Sequence, residues 1–212
     1  MIQASTALSF AATATALVVT PGAGFVLFSS TMLTRGRRAA LALWGGIAAG
    51  TIVFAAIVVV VYPLIVSGIG GFRRAIQIAG GLYLVYLGGR GVYRARRHRL
   101  ISMQNMQPTR ASATTNELAV AGITSALTNP GLFVIYVLLL PTFVPVAAPW
   151  TPTAATLAAE HIGIMNAWYA VLFVAIGRAR AYFADDARQA AVAIASSFVL
   201  VGLGVRTLVQ AV

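Results

Sequence analysis

Thr20-Pro21-Gly22-Ala23-Gly24 interrupts an apolar segment that carries no charged residue from Met1 to Thr34. Proline cannot donate the backbone hydrogen bond that a helix interior needs, and the two glycines add conformational freedom. The interruption therefore leaves main-chain carbonyls and amides without partners inside a helix. In a bilayer such groups are tolerated only where protein buries them or where they line a water-filled cavity, as in the broken helices of secondary transporters.

A second interruption, Thr128-Asn129-Pro130-Gly131, lies in the segment that opens the other half of the chain. Two similar interruptions, one in each half, predict one binding site between them. The alternative is that both prolines only kink two packed helices, with the threonine and asparagine side chains restoring the local hydrogen bonds.

The composition places the chain in a membrane. Of its 212 residues, 59% are hydrophobic and 9% are charged, and the mean hydropathy is +0.88. About 20 apolar residues cross a hydrocarbon core, and several charge-free runs are long enough for this. The chain has no cysteine, which excludes disulfide scaffolds and thiolate metal sites.

The hydropathy pattern predicts an all-α membrane protein with six transmembrane helices, of which helices one and four are broken. The expected spans cover about 4–33, 41–66, 72–92, 118–143, 153–176 and 190–209. In the second span, the small residues Gly45-Gly46-Ile47-Ala48-Ala49-Gly50 predict close approach of a neighbouring helix.

The whole chain, 1–212, is expected to form a single transporter domain with a first repeat at 1–93, a cytoplasmic loop at 94–116 and a second repeat at 117–212. Pairs in the third span, such as Ile78-Ala79 and Leu87-Gly88, recur at a constant offset in the sixth span as Ile194-Ala195 and Leu203-Gly204. Three spans are an odd number, so a duplicated half inserts upside down. This predicts a 3+3 inverted repeat.

The arginines predict the orientation. Basic residues cluster at 35–38, 90–110 and 178–188, and only Arg73, Arg74 and Arg206 fall on the opposite side. By the positive-inside rule the three basic loops are cytoplasmic and both termini lie outside. The formal charge of +11 is explained in this way, so no binding of nucleic acid is expected.

Four motifs occur in order along nearly the whole chain. They are Thr20-Pro21-Gly22 followed by Arg35-Gly36-Arg37-Arg38-Ala39, then Gly46-Ile47-Ala48-Ala49-Gly50, then Ala79-Gly80-Gly81-Leu82-Tyr83-Leu84-Val85-Tyr86-Leu87-Gly88, and finally Thr128-Asn129-Pro130 leading to Leu140-Pro141-Thr142-Phe143-Val144. Together these motifs resemble the LysE/RhtB family of amino-acid exporters. The resemblance implies a six-span plasma-membrane protein that exports amino acids or similar small metabolites in exchange for protons, often as a homodimer.

The chain departs from the family's pattern at three positions. The family usually carries an aspartate where this chain has Thr51, a lysine where it has Gly131, and a proline where it has Ala23. The scaffold is kept while the usual charged groups are missing. The resemblance therefore leaves the coupling ion and the charge of the substrate open.

An amino acid presents a carboxylate and an ammonium group to its binding site. A half-helix that starts after an interruption directs amides and its positive dipole end toward the carboxylate, while carbonyls freed on the preceding half suit the ammonium. The predicted substrate-binding residues are Thr20, Pro21, Gly22, Gly24, Thr51, Asn129, Pro130 and Gly131. The polar side chains of Asn166 and Tyr169 are further candidates to line the route, although polar residues also join helices.

Proton coupling needs a group that titrates within the membrane. The candidates are Glu117 at the start of the fourth span, and Glu160 with His161 in the fifth. Burial favours a neutral Glu160, and His161 beside it could carry the charge. In the alternative reading the fifth span starts after His161 and leaves the pair in water.

A second hypothesis is a non-transporting membrane scaffold or regulatory protein derived from the same fold. The missing aspartate at Thr51 favours it, and the retained interruptions oppose it. The expected spans contain no cluster of carboxylates or histidines that would suit a metal, and no nucleophile and base at helical spacing. We therefore expect neither a cofactor nor an enzymatic activity; the expected partners are a small-molecule substrate and the lipid bilayer.

Overall fold

The computed structural model describes residues 4–20, 23–66, 113–145 and 147–178, together with isolated helical positions between 75 and 93 and between 194 and 209. All described elements are helical, as predicted, and these ranges contain no strand. The elements are α1 (Ala4–Val19), α2 (Ala23–Arg35), α3 (Arg37–Val66), α4 (Thr115–Leu127), α5 (Pro130–Phe133), a π-helix (Val134–Leu139), α6 (Leu140–Phe143) and α7 (Trp150–Arg178).

Two of these helices are long and apolar enough to cross a membrane on their own, namely α3 and α7. Two further pairs pass the same test only together, because each is bent at a short interruption. The bend is 50° between α1 and α2 and 45° between α4 and the segment Pro130–Phe143. By length and composition, the described residues therefore contain two candidate spans, or up to four if each bent pair is one span.

Several predictions fall outside the described residues. These are Pro21 and Gly22, most of the loop at 94–116, and all but isolated positions of the third and sixth expected spans. The six-span inverted repeat therefore stays a prediction.

Glycines bring α3 and α4 together at backbone distance. A Cβ added to Gly46 would lie 2.0 Å from the carbonyl oxygen of Ala119, and a Cβ added to Gly50 would lie 2.8 Å from the carbonyl oxygen of Ile123. At Gly122 on α4, it would lie 2.3 Å from the Leu43 carbonyl oxygen. Because no side chain fits here, dispersion contacts between the two backbones hold the helices, and the predicted close approach is confirmed.

The C-terminal end of α3 is joined to the start of α7 through a proline. Pro63 lies inside α3 and has no N–H to offer the Val59 carbonyl four residues earlier. The indole N–H of Trp150 donates to that carbonyl at 2.8 Å, and the Trp150 ring stacks on Tyr62 with centroids 4.2 Å apart. A tryptophan from α7 thus supplies the hydrogen bond that the proline removes.

The opposite end of α3 packs against the end of α7, so the two helices run antiparallel. There the Arg37 guanidinium lies 4.7 Å from the Phe173 ring centroid. Gly36, with a φ of 83°, makes the turn between α2 and α3 in a conformation that glycine adopts without strain. The Arg35 side chain donates to the Ala113 carbonyl just before α4. The described arginines of α2, α3 and α7 therefore gather at one end of the bundle.

The core lies between α1, α3, α7 and the segment after Asn129. One cluster of buried side chains joins Phe10 and Ala14 of α1 to Tyr136 of the π-helix and Leu157 of α7. A second cluster joins α2 and the first half of α3 to the second half of α7. Because α3 and α7 both contribute to both clusters, the two bent pairs are arranged against these two helices.

Candidate functional site

The first interruption is closed locally by a threonine. The Thr20 hydroxyl and the Thr20 amide both donate to the Ala16 carbonyl, at 2.6 Å and 3.3 Å. Helix α2 then begins at Ala23. The Thr20 side chain thus ends α1, as the kink alternative anticipates.

The second interruption is closed by an asparagine. The Asn129 side-chain oxygen accepts from the Gly131 amide at 2.8 Å, and the Asn129 carbonyl accepts from the amides of Leu132 and Phe133 at 3.0 Å and 3.3 Å. Pro130 has no amide proton, so the first turn of α5 has all its donors paired. The Gly131 amide turns to Asn129 and away from the Leu127 carbonyl four residues back, which leaves that carbonyl as an acceptor.

The two interruptions border a common cluster. Ala16, one turn before Thr20, packs with Val134 and Leu139, which begin and end the π-helix that follows Pro130. Tyr83 from the third expected span also packs against these residues. The flanks of both interruptions therefore meet, and Tyr83 packs against the place where they do.

Three side chains at helical spacing on α7 face the other elements, and we call His161, Met165 and Tyr169 the α7 column. His161 contacts the π-helix, Met165 contacts α3, and Tyr169 contacts both the start of α2 and α3. From the rise of 1.5 Å per residue, Met165 lies about 22 Å from the start of α7 and Thr51 about 21 Å from the start of α3. The α7 column is therefore centred on the middle of both spans.

His161 forms a buried polar pair with Tyr136. The Tyr136 hydroxyl and the His161 Nδ1 are 2.8 Å apart, the rings meet edge to face, and His161 is 1% exposed. Tyr136 lies on the π-helix, a wider turn that ends shortly before Pro141. Pro141 has no amide proton and cannot donate to the Val137 carbonyl four residues earlier. A π-helix, whose hydrogen bonds reach five residues back, is compatible with this missing donor. The pair links the segment after the second interruption to α7.

Thr51 is enclosed rather than open to a route. Its hydroxyl is 0% exposed, donates to the Ile47 carbonyl at 2.8 Å and contacts the Met165 sulfur at 3.6 Å. The Thr51 hydroxyl is therefore paired with a carbonyl of its own helix and with the Met165 thioether, and the contact between α3 and α7 at this position carries no charge. Nothing at this position titrates.

The start of α2 faces the last member of the α7 column. A Cβ added at Gly24 would lie 2.8 Å from the Tyr169 hydroxyl oxygen. The Tyr169 ring meets Phe28 edge to face at 5.0 Å and stacks on Trp44 at 6.3 Å. The Trp44 indole donates to the Asn166 side-chain oxygen at 2.8 Å, so Asn166 joins α3 to α7.

The structure separates the three candidates for proton coupling. Glu117 is exposed and closes a capping box with Thr114 at the start of α4, where its carboxylate accepts from the Thr114 amide at 2.6 Å. Glu160 is half-buried on the neighbouring face of α7, and His161 is fully enclosed. His161 lies inside α7, which begins at Trp150, and is enclosed by protein; the depth of Glu160 and His161 in the bilayer stays a prediction.

A family model matches residues 15–211 of the chain. The chain belongs to the LysE type translocator family. This LysE type translocator is accordingly a membrane protein of a family that exports amino acids or similar compounds and does not contain enzymes. Neither the curated proteins nor the solved structures contain a match to the translocator.

Sequence reasoning missed Tyr136 and Trp150 in the translocator. Each partner lies far away in the sequence, so no local pattern identifies it. The sequence identifies only the acceptors of these contacts. Pro63 leaves the Val59 carbonyl without a helical donor, and Pro141 does the same for the Val137 carbonyl. Each carbonyl then needs another donor or a change in the helical hydrogen-bond pattern nearby.

Proposed function

We propose that this translocator is a secondary exporter that moves amino acids or related small metabolites out across the plasma membrane in exchange for protons. In this proposal each bent pair is one broken span, and the two halves form inverted units that give alternating access. The observation that carries the proposal is the shared cluster of Ala16, Val134 and Leu139, which brings the flanks of both interruptions together. Family membership supplies the class of substrate.

The substrate in this proposal lies between the two interruptions. Thr20, Gly24, Asn129, Pro130 and Gly131 border it, with Pro21 and Gly22 forming the first interruption and Thr51 lying one layer deeper. The Leu127 carbonyl, freed by the turn of the Gly131 amide, suits the ammonium group. The Thr20 and Asn129 side chains make hydrogen bonds at their own helix ends. In this proposal they stabilise the two interruptions, which keeps the helices broken where the substrate binds.

We assign proton coupling to His161. Glu117 is committed to the capping box at one end of the bundle, and Glu160 points about 100° away from His161 around α7. His161 alone is placed at the centre of the bundle, where its Nδ1 contacts the segment after the second interruption. Protonation there changes the hydrogen bond between two elements that must move relative to each other during transport.

Purified protein in vesicles tests the proposed function directly. With an imposed proton gradient, wild-type protein is expected to move at least one labelled amino acid from a broad panel. Pro21→Leu and Pro130→Leu variants are expected to insert normally and to lose transport, because a continuous helix removes the interruption. If no compound in the panel moves, exporter activity in this form is refuted, and the non-transporting scaffold takes its place.

A further inference from the structure

Arginines outnumber carboxylates at one end of the bundle, and we call this group of arginines the basic rim. Its described members are Arg35 at the end of α2, Arg37 and Arg38 at the start of α3, and Arg178 at the end of α7. Of the two acids in the described ranges, Glu117 lies at this end, where its carboxylate accepts from Thr114. Glu160 lies about 27 Å away from Arg178 along α7. The part of the chain that the structure describes therefore carries a net positive charge at the basic rim.

Contacts between helix ends hold the basic rim together. A Cβ added to Gly177 would lie 3.8 Å from the Met32 Cε, which places the end of α7 beside the end of α2. The Arg37 guanidinium lies 4.7 Å from the Phe173 ring centroid, so α7 also orients the start of α3. A cation above an aromatic ring keeps its full charge. The basic rim is therefore an ordered positive surface.

Exposed apolar side chains lie one turn away from the exposed arginines. Leu41 follows Arg38 by three residues and is 47% exposed, and Val174 precedes Arg178 by four residues and is 44% exposed. Residues at these spacings share a face of a helix. On both helices, a guanidinium thus lies at the end of the span and an aliphatic side chain lies toward its middle. A phospholipid presents its phosphate and its acyl chains in the same order.

We propose that the basic rim binds anionic phospholipids. Arg38 and Arg178 donate to headgroup phosphates, and Leu41 and Val174 pack against the acyl chains. The planar guanidinium matches two phosphate oxygens at once. A zwitterionic headgroup also carries an ammonium group, which the surrounding arginines repel, so the basic rim selects lipids with a net negative charge. This binding does not depend on transport activity.

Titration of purified protein in detergent micelles with two short-chain lipids tests the proposal. Dioctanoyl phosphatidylglycerol is the anionic probe, and dioctanoyl phosphatidylcholine has the same chains on a zwitterionic headgroup. The rise in melting temperature with lipid concentration gives an apparent Kd for each lipid. The wild type should bind phosphatidylglycerol at least tenfold more tightly than phosphatidylcholine. The double variant Arg38→Gln/Arg178→Gln should bind phosphatidylglycerol about tenfold or more weakly than the wild type, with its phosphatidylcholine affinity unchanged.

The matched control is Arg38→Lys/Arg178→Lys, which keeps both charges and should bind phosphatidylglycerol within about threefold of the wild type. Each single glutamine variant should lose about fivefold, which keeps the test available if the double variant fails to fold. Equal affinity of the wild type for the two lipids would overturn the proposal. So would glutamine variants that bind phosphatidylglycerol like the wild type. Inorganic phosphate is the third probe, and binding as tight as that of phosphatidylglycerol would show a site for a free anion and refute the lipid.

Discussion

Substitution of Gly46 by alanine should separate α3 from α4. The added Cβ would lie 2.0 Å from the Ala119 carbonyl oxygen, which is more than an ångström closer than the 3.4 Å at which ordinary contact begins. The obstacle is backbone, so no side-chain rotation relieves it, and α4 must move away. The contacts of Gly50 and Gly122 with the facing backbones then open as well.

Two opposing effects determine how much the Gly46→Ala substitution changes the free energy of unfolding. Overpacking costs about 1–3 kcal/mol, and replacing a helical glycine by alanine returns about 1 kcal/mol. Gly45→Ala is the matched control. A Cβ at Gly45 has nothing within 4 Å, so this variant has the higher helix propensity of alanine without any overpacking. The two neighbouring variants should therefore differ in free energy of unfolding by about 1–3 kcal/mol, with Gly46→Ala the less stable.

Unfolding of purified protein in mixed detergent micelles, followed by loss of helicity, measures this difference. Gly163→Ala on α7 provides a second control, since the space around its Cβ is also open. If the unfolding free energies of Gly46→Ala and Gly45→Ala agree within about 0.5 kcal/mol, the packing of α3 on α4 described here is wrong.

Three further predictions concern the hydrogen bonds between elements. His161→Gln should lose transport driven by a proton gradient but retain exchange of labelled for unlabelled amino acid without a gradient, and equal gradient dependence would contradict the role of His161. Trp150→Phe should lower the free energy of unfolding by about 1 kcal/mol, and by less in a Pro63→Ala background, where an amide again reaches the Val59 carbonyl. Asn129→Ala should cost about 1 kcal/mol as a lost helix cap, whereas Asn129→Asp keeps the acceptor and should cost less; unfolding titrations compare the two variants.

The interruptions and the glycine contact could be predicted because their causes are local. Pro130 lacks an amide proton wherever it stands, and a glycine every four residues in an apolar run permits backbone contact in any bundle. The residues around the sites were harder to interpret. The same Thr20 and Asn129 that suggested ligands also satisfy their own helix ends, and the sequence cannot say which use prevails.

Long-range pairing accounts for what the sequence missed. Tyr136 meets His161 only because a π-helix and α7 pack together, and Thr51 is closed off because Met165 reaches it from another helix. These contacts depend on helix rotation and register, which periodicity fixes poorly in segments that are apolar on every side.

The most direct test asks whether water and substrate reach both interruptions. The chain has no native cysteine, so single cysteines at Thr20 and Thr128 can be labelled with a hydrophilic maleimide without background reaction. Ile52, which is 52% exposed on the outer face of α3, is the matched control facing lipid. Thr20→Cys and Thr128→Cys are expected to react, a transported amino acid should slow both reactions, and Ile52→Cys should not react. Failure of either interruption to react, or labelling that substrate leaves unchanged, would contradict a shared site between the two broken spans.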